Sequence, residues 1–319
     1  MRVVLLAASR EARDAVGSIL ETRGHEVIAF ADASEALERL DDDQTANAFL
    51  VIDLKNQERA IELCWEARLI ASFERPIYIC LVARPLPSET MVEALDCGAD
   101  DVLQLPLSPD ELYARLRSAE RMNQMQLKLV EMATRDGLTG LLNRPAFFNR
   151  TTRICRETEA SLAAIMVDID HFKAVNDRYG HAAGDKALQS IAGCLSEEGA
   201  VAARLGGEEF VLLLPETSAD RAWRRAEDLR RLIARRDIEF DGAALRVSCS
   251  FGVAVAGPGV DIDDLLRRAD AALYDAKRNG RNRVMLHVNK MSDAGPAPPF
   301  RRSRVHHAGD RAACRQFAG

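Results

Sequence analysis

The sequence predicts two successive α/β domains, and three observations support this prediction. The chain has 319 residues, enough for two domains that each bury a core. Up to about residue 118, short apolar runs alternate with amphipathic segments, a pattern typical of a doubly wound parallel sheet. From about residue 135, two strands flank a Gly-Gly pair and further strands alternate with helices, which indicates an α/β sandwich with an antiparallel sheet.

Composition excludes several classes of protein. Apolar residues make up 47% of the chain, charged residues 29%, and the net charge is -6, which is typical of a soluble globular protein and indicates no nucleic-acid or membrane partner. The seven cysteines are scattered without a CxxC pair, so we expect reduced thiols. The apolar run near the amino terminus spans only about seven residues, too few for a signal peptide or a membrane span. We therefore expect a cytoplasmic protein.

The first domain, residues 1–118, is predicted to contain five strands and five helices. Its strands are expected at 3–8, 26–30, 49–52, 77–82 and 101–105. Its helices are expected at 11–22, 34–40, 60–72, 88–97 and 110–118. This regular alternation is the basis for the predicted parallel sheet.

Two features of this domain resemble response-regulator receiver domains. Residues 97–106, CGADDVLQLP, are similar to the end of a receiver, and Asp53 closes the third strand, where receivers carry the phosphorylated aspartate. The acidic metal-binding pair, the hydroxyl and the lysine of a receiver are replaced. Their positions hold Ala7, Ala8, Ser9, Val82, Ala83 and Leu105. We interpret the domain as a pseudo-receiver that packs or binds a protein partner, and Asp53 as an inert carboxylate rather than a phosphoacceptor.

A helical pattern continues to about residue 134, and we interpret 119–134 as a helical linker or stalk. The apolar residues of this helix have near-heptad spacing with a three-residue stammer. They are Leu112, Leu116, Ala119, Met122, Met125, Leu129 and Met132. A short parallel coiled coil is one interpretation. The other is that the first part packs on the preceding sheet and the remainder is a linker, and so few heptads leave both open.

The second domain, residues 135–288, is organised around the sequence RLGGEEF at 204–210. The motif predicts a β-hairpin in which Gly206 and Gly207 form the turn. These glycines lack a Cβ, so a polyphosphate or a base can approach the backbone, and Glu208 and Glu209 project towards it. The arrangement suits a metal-bound nucleotide. Taken alone, it also fits an ordinary solvated acidic turn.

Four ordered motifs together resemble the GGDEF-domain diguanylate cyclases. Beside the hairpin these are DGLTGLLNR at 136–144, VDIDHFKAVNDRYGHAAGD at 167–185, and ADAALYDAKRNGRN at 269–282. They are similar to the domain-opening motif of the family, its metal and guanine segment, and its closing helix. The resemblance covers about residues 134–287 and implies the ferredoxin-like fold of nucleotidyl cyclases. The overall fold class is thus a receiver-like doubly wound sheet followed by a ferredoxin-like α/β sandwich.

The resemblance also implies a divalent metal, Mg²⁺ or Mn²⁺, held by Asp168, the carbonyl of Ile169 and Glu208. Carboxylate and carbonyl oxygens are the ligands that Mg²⁺ prefers. Glu208 would also assist removal of the proton from the attacking 3′-hydroxyl of GTP, with Glu209 as a supporting acid. Without the motif, Asp168 would be interpreted as a strand-end cap.

Asn176 and Asp185 match the guanine-reading positions of the family. An amide can pair with both donor and acceptor groups of guanine, and a carboxylate accepts from its N1 and N2 hydrogens. In isolation, Asn176 would indicate a turn and Asp185 a helix cap. The residues that match triphosphate contacts are His171, Phe172, Lys173, Lys277 and Arg281. Outside the motif, the last two would be a solvated helix face.

By resemblance, the expected function is condensation of two GTP molecules into cyclic di-GMP, with release of pyrophosphate, across a homodimer. The alternatives are a catalytically inactive GGDEF domain that acts as a sensor or scaffold for GTP or cyclic di-GMP, and an adenylate-type cyclase. The Arg-x-x-Asp inhibitory motif of many members is replaced by Glu197 and Ala200, so weak or absent product inhibition is expected. Arg204 is interpreted as an exposed strand-edge residue.

The last segment, residues 289–319, is predicted to be disordered. It contains several Pro, Gly and Arg residues and hardly any periodic apolar pattern. Its His306 and His307 have no companion acid or cysteine at ligand spacing, so we do not expect a metal site there.

Overall fold

The computed structural model describes residues 1–52, 56–196 and 199–287. Contacts divide the chain into two compact units, Met1–Thr134 and the residues from Arg135 onwards. Asp53, Glu197 and the predicted disordered segment 289–319 lie outside the described residues.

The first unit contains the predicted doubly wound parallel sheet. Its strands are β1 (Arg2–Ala7), β2 (Glu26–Phe30), β3 (Ala48–Ile52), β4 (Tyr78–Ala83) and β5 (Asp101–Gln104). Its helices are α1 (Arg10–Thr22), α2 (Ala33–Asp42), α3 (Gln57–Ile70), α4 (Ser88–Asp96) and α5 (Pro109–Thr134). All neighbouring strands are parallel and their order is β2-β1-β3-β4-β5. Strand β3 is buried along its whole length, as expected for a strand covered by helices on both faces.

Helix α5 is continuous over 26 residues. Leu112 and Leu116 are fully buried against the sheet. The amide of Asn123 donates to the carbonyl oxygens of Asn47, at 3.2 Å, and Pro76, at 3.4 Å. The apolar side chains further along α5 are exposed: Met122, Met125, Leu129 and Met132. The first part of the helix thus packs on its own unit, and the coiled coil stays a prediction.

The second unit is an α/β sandwich. Its strands are β6 (Leu162–Ile169), β7 (Val201–Gly206), β8 (Glu209–Pro215), β9 (Ile238–Phe240), β10 (Ala243–Leu245), β11 (Cys249–Ala256) and β12 (Val284–Leu286). Its helices are α6 (Arg144–Glu157), α7 (Phe172–Tyr179), α8 (His181–Leu195), α9 (Ala219–Arg235) and α10 (Ile262–Arg278). The main sheet has the order β12-β11-β6-β8-β7, with β6 antiparallel to both β8 and β11. This confirms the predicted fold class.

The sequence patterns missed four elements of this unit. Helices α6 and α7 and the β9–β10 hairpin were not predicted. Asp185 lies within α8, which begins at His181, so it is not the helix cap that it would indicate in isolation. Helix α7 has only eight residues and contains Asn176 and Asp177, which are typical of a turn. Tertiary packing therefore overrides the local signal in this segment.

Helix α10 packs directly on strand β11 at Gly252. A Cβ at this position would lie 2.1 Å from the carbonyl oxygen of Ala269 and 2.2 Å from the backbone nitrogen of Leu273. Only glycine allows so close an approach between helix and strand. Among the described helices of both units, none has the length and apolar character needed to cross a membrane.

Candidate active site

A hairpin joins β7 and β8, as predicted, but its turn is displaced by one residue: Gly206 ends β7 and pairs with Glu209, and Gly207 and Glu208 form the turn. Gly206 has φ 147° and Gly207 has φ 53°, and side-chain-bearing residues rarely adopt either conformation. The strand register shifts between Arg204 and Gly206, so the turn contains a local irregularity. The carbonyl of Glu208 faces the end of β6, where it accepts from the N–H of Ile169 at 3.4 Å. The hairpin tip therefore lies beside the carboxyl end of β6.

Acidic side chains gather where β6 meets β8. Asp168 pairs in register with Glu209, and only 5% of Asp168 is exposed. Its Oδ2 lies 2.7 Å from Nζ of Lys277, in the last turn of α10. Burial raises the pKa of Asp168 to about 6; Lys277 opposes the increase, and the charges of Glu208 and Glu209 add to it. Partial desolvation likewise raises the pKa of Glu209, although that residue is exposed as a whole. Negative charge at this edge is thus only partly balanced by Lys277.

The chemistry of these donors suits a hard divalent cation. The predicted set consists of oxygens alone, which Mg²⁺ prefers, and carboxylate repulsion at Asp168 is what a bound cation would relieve. Within the described ranges, however, no group of three or more His, Cys, Asp or Glu side chains could hold a metal ion. The predicted ligand set contains only two side chains, those of Asp168 and Glu208, beside the carbonyl of Ile169, and it stays a prediction.

The two predicted guanine-reading residues lie on neighbouring helices. Asn176 is on α7 and Asp185, which is exposed, is in the amino-terminal part of α8. The helices meet at Gly184, where a Cβ would lie 1.9 Å from Oδ1 of Asn176. That Oδ1 is buried and has no hydrogen-bond partner among the described residues. Sequence reasoning missed Gly184, whose only signal was its place within the motif.

The predicted triphosphate contacts fall into two groups. His171, Phe172 and Lys173 lie at the amino terminus of α7, where His171 caps the helix with φ 57°. Backbone N–H groups at a helix amino terminus favour anions. Lys277 is near the end of α10, and the exposed Arg281 follows that helix with φ 59°. Both groups are thus placed at helix ends.

Arg204 lies on β7, the edge strand of the main sheet, as interpreted from the sequence, but only 14% of its side chain is exposed. Its Nη1 donates to both carboxylate oxygens of Asp136, at 3.1 and 3.2 Å, and its Nε and Nη2 donate to the carbonyl of Gly207, at 2.9 and 2.7 Å. Although burial opposes it, hydrogen bonds from Thr139 and Arg204 lower the pKa of Asp136. Arg204 therefore joins the domain-opening segment to the hairpin turn at Gly207.

The sheet order and the acidic edge define a ferredoxin-like domain of the nucleotidyl-cyclase class. Residues 133–283 match the family described as "Diguanylate cyclase, GGDEF domain". The crystal structure of the coiled coil and GGDEF domain of DgcB from Caulobacter crescentus, in complex with c-di-GMP, is 33% identical. The match covers 56% of this chain and 97% of that chain, with a TM-score of 0.51. The chain belongs to the GGDEF-domain family.

Two curated proteins are also similar to this chain. Diguanylate cyclase A from Treponema denticola is 38% identical over 177 residues, covering 52% of this chain and 48% of the relative. The response regulator PleD from Caulobacter vibrioides is 33% identical over 227 residues, covering 66% of this chain and 50% of the relative. The chain spans about half the length of the curated relatives it matches.

Proposed function

We propose that this protein is a diguanylate cyclase that condenses two GTP molecules into cyclic di-GMP and two pyrophosphates. The observation that carries the proposal is the meeting of the hairpin acids with Asp168 at the end of β6, where Lys277 lies 2.7 Å from the Asp168 carboxylate. The similarity to diguanylate cyclase A supports the same activity.

In the proposed reaction, the 3′-oxygen of one GTP attacks the α-phosphorus of the other. A bond forms between the 3′-oxygen and the α-phosphorus, the bond from the α-phosphorus to the bridging oxygen of the β-phosphate breaks, and pyrophosphate leaves. A second attack of the same kind, by the 3′-oxygen of the other nucleotide, closes the ring and releases the second pyrophosphate. Asp168, Glu208 and the carbonyl of Ile169 would hold a Mg²⁺ or Mn²⁺ ion, which would neutralise phosphate charge and acidify the 3′-hydroxyl. Glu208 accepts the hydroxyl proton and Glu209 supports it.

Specificity for GTP is assigned to Asn176 and Asp185. The carboxylate of Asp185 accepts hydrogens from N1 and N2 of guanine, whereas adenine would present an acceptor to it. An unmade bond of this kind costs about 1–3 kcal/mol per group. Lys173, Lys277 and Arg281 are proposed to bind the triphosphate, together with backbone amides near His171 and Phe172.

The proposed chemistry needs two copies of the chain. Each active site holds one GTP, so two sites have to face each other across a symmetric homodimer. The first unit and helix α5 are the proposed means of bringing the copies together, because tethering raises the effective concentration of one site near the other.

We further infer that the first unit is a degenerate receiver that binds a protein partner or packs in the dimer. Its strand order, 2-1-3-4-5, is that of flavodoxin-like doubly wound folds, and the similarity to PleD covers 66% of this chain. At the end of β1, Nη1 of Arg13 donates to the carbonyl oxygens of Ala7, at 2.5 Å, and Ala8, at 3.1 Å. A guanidinium thus lies at the strand end where a receiver would need acidic residues, which supports an inert Asp53.

The decisive experiment incubates purified protein with Mg²⁺ and either GTP or ATP and identifies products by mass. We expect cyclic di-GMP from GTP and no cyclic product from ATP. Glu208→Gln should lower turnover by at least about 100-fold, because it removes charge where the transition state needs it, and weaken GTP binding much less. Glu239→Gln, an exposed acid on β9, is the matched control. GTP binding without product in the wild type would favour the sensor alternative.

A further inference from the structure

One buried carboxylate near the candidate site has none of the roles assigned above. Asp170 lies two residues beyond Asp168 and is 6% exposed. Its Oδ1 accepts from the hydroxyl of Ser250 at 2.6 Å, and its Oδ2 accepts from the hydroxyl of Ser248 at 2.6 Å and from the backbone N–H of Asn282 at 3.0 Å. These three donors are neutral. Burying a carboxylate without a cationic partner costs free energy of desolvation, so the stability of the fold alone does not account for Asp170.

The bond to Asn282 fixes an unusual turn between α10 and β12. Arg281 has φ 59° and Asn282 has φ 43°, two successive non-glycine residues in the left-handed region. Such residues persist only where the surroundings hold them in place. The N–H of Arg281 donates to the carbonyl of Ala276 at 3.0 Å, and Nη1 of Arg230 donates to Oδ1 of Asn282 at 2.9 Å. Asp170 therefore contributes one of several bonds that hold this turn.

Asp170, which accepts the hydrogen bond from Asn282, directly follows the last residue of β6. The same strand end carries Asp168, and the turn carries Arg281. The bond from Asn282 to Asp170 thus links the acidic edge of the site directly to the backbone that orients Arg281. If the turn relaxed from the left-handed conformation, the Arg281 guanidinium would move away from its present direction.

We propose that Asp170 is a positioning residue, which holds the Arg281 turn so that the guanidinium faces the triphosphate of the bound nucleotide. This inference rests on the proposed function, because it assigns Arg281 to the triphosphate. Asp170 does not touch the nucleotide, and it acts through Arg281. Loss of Asp170 therefore weakens the binding of triphosphates and leaves the binding of guanine and ribose unchanged.

The test compares two nucleotides on the full chain in Mg²⁺ buffer by calorimetry. 3′-Deoxy-GTP carries the triphosphate but cannot be condensed, and GMP lacks the β- and γ-phosphates. Asp170→Ala is expected to weaken the binding of 3′-deoxy-GTP about tenfold, which corresponds to about 1.4 kcal/mol of binding free energy. The binding of GMP should weaken by less than about twofold. The double variant Asp170→Ala/Arg281→Ala should bind 3′-deoxy-GTP as Arg281→Ala alone does. Equal weakening of both nucleotides, or additive losses in the double variant, would overturn the proposal.

A second variant covers the case in which Asp170→Ala does not fold. Asp170→Asn keeps the volume and can still bond both serines, but it removes the negative charge that attracts the Asn282 N–H. An intermediate, triphosphate-selective loss of about threefold is expected. No selective loss in a folded Asp170→Asn protein would count against the proposal. Asp237→Ala, which removes a surface ion pair with Arg246, is the control and should change neither affinity.

Measurements on the wild type separate this inference from the proposed function. A wild type that binds 3′-deoxy-GTP but makes no cyclic di-GMP from GTP would refute the cyclase activity, while the triphosphate comparison would still test Asp170. A wild type that makes cyclic di-GMP, with variants that show no triphosphate selectivity, would refute only the role of Asp170.

Discussion

Replacing Gly252 by alanine is expected to destabilise the second unit and displace helix α10. The new Cβ would lie 2.1 Å from the carbonyl oxygen of Ala269 and 2.2 Å from the backbone nitrogen of Leu273, whereas ordinary contact begins at 3.4 Å. The helix would therefore have to move outward by roughly 1 Å, and no rotamer change can relieve the clash because both atoms are backbone. Overpacking of this kind costs about 3 kcal/mol, the upper part of its usual range.

Thermal unfolding followed by circular dichroism measures this effect. For a unit of this size, about 3 kcal/mol corresponds to a melting temperature lower by roughly 6–12 °C. Gly193→Ala is the matched control, because Gly193 is exposed within α8 and a Cβ there meets nothing within 4 Å. That variant should gain about 1 kcal/mol through helix propensity. The reasoning is refuted if Gly252→Ala melts at or above the wild type, or if both variants are destabilised equally.

Three further predictions concern other contacts. Arg204→Ala should lower the free energy of unfolding, measured in urea, by about 2 kcal/mol. The loss should be smaller in a protein that already carries Asp136→Asn, because the side chains of Arg204 and Asp136 form an ion pair. Hydrogen bonds, the strongest of them from Arg230, lower the pKa of Glu227 to about 2. Ionised Glu227 therefore contributes about 1 kcal/mol to the free energy of unfolding above pH ~4.5, and this contribution is lost as the pH falls towards 2. The difference in melting temperature between wild type and Glu227→Gln should accordingly become smaller from pH 6 to pH 3. Cyclic di-GMP should inhibit only in competition with GTP, because Ala200 supplies no hydrogen-bond acceptor for a product bound at the inhibitory motif. Initial rates over a range of GTP concentrations at several product concentrations test this. A maximal rate that falls as product is added would contradict it.

The sheets could be predicted from the sequence because their central strands are continuous apolar runs. Strands β3 and β6 are buried along their whole length, so their residues give a signal that no surface segment imitates. Helix α7 could not be predicted in the same way. It has only eight residues, half of them polar, and it is held by the packing of Phe172 and by the close approach at Gly184. Such contacts depend on a neighbouring helix and leave no local pattern.

The residues of the candidate site that belong to sequence motifs could be predicted. The contacts between residues that are far apart in the sequence could not. The structure brings Lys277 to Asp168, which the motifs had marked separately. The pairing of Arg204 with Asp136 joins residues 68 positions apart, and that of Asn282 with Asp170 spans 112 positions. The second pairing depends on the order β12-β11-β6-β8-β7, and the first on the bridge between Leu142 and Ala203; short-range periodicity determines neither.

Helix α10 is fixed relative to β6 by contacts at several points along its length. Its middle packs backbone to backbone on Gly252, its last turn places Lys277 against Asp168, and the turn that follows it is held by Asp170. Because β11 pairs with β6 in register, movement of the helix at any of these points strains the others. Lys277 and the backbone that carries Arg281, two of the three cationic residues proposed to bind the triphosphate, are thus held before nucleotide arrives. For this reason we expect substitutions beneath α10, although they lie away from the β7–β8 hairpin turn, to affect turnover as well as stability.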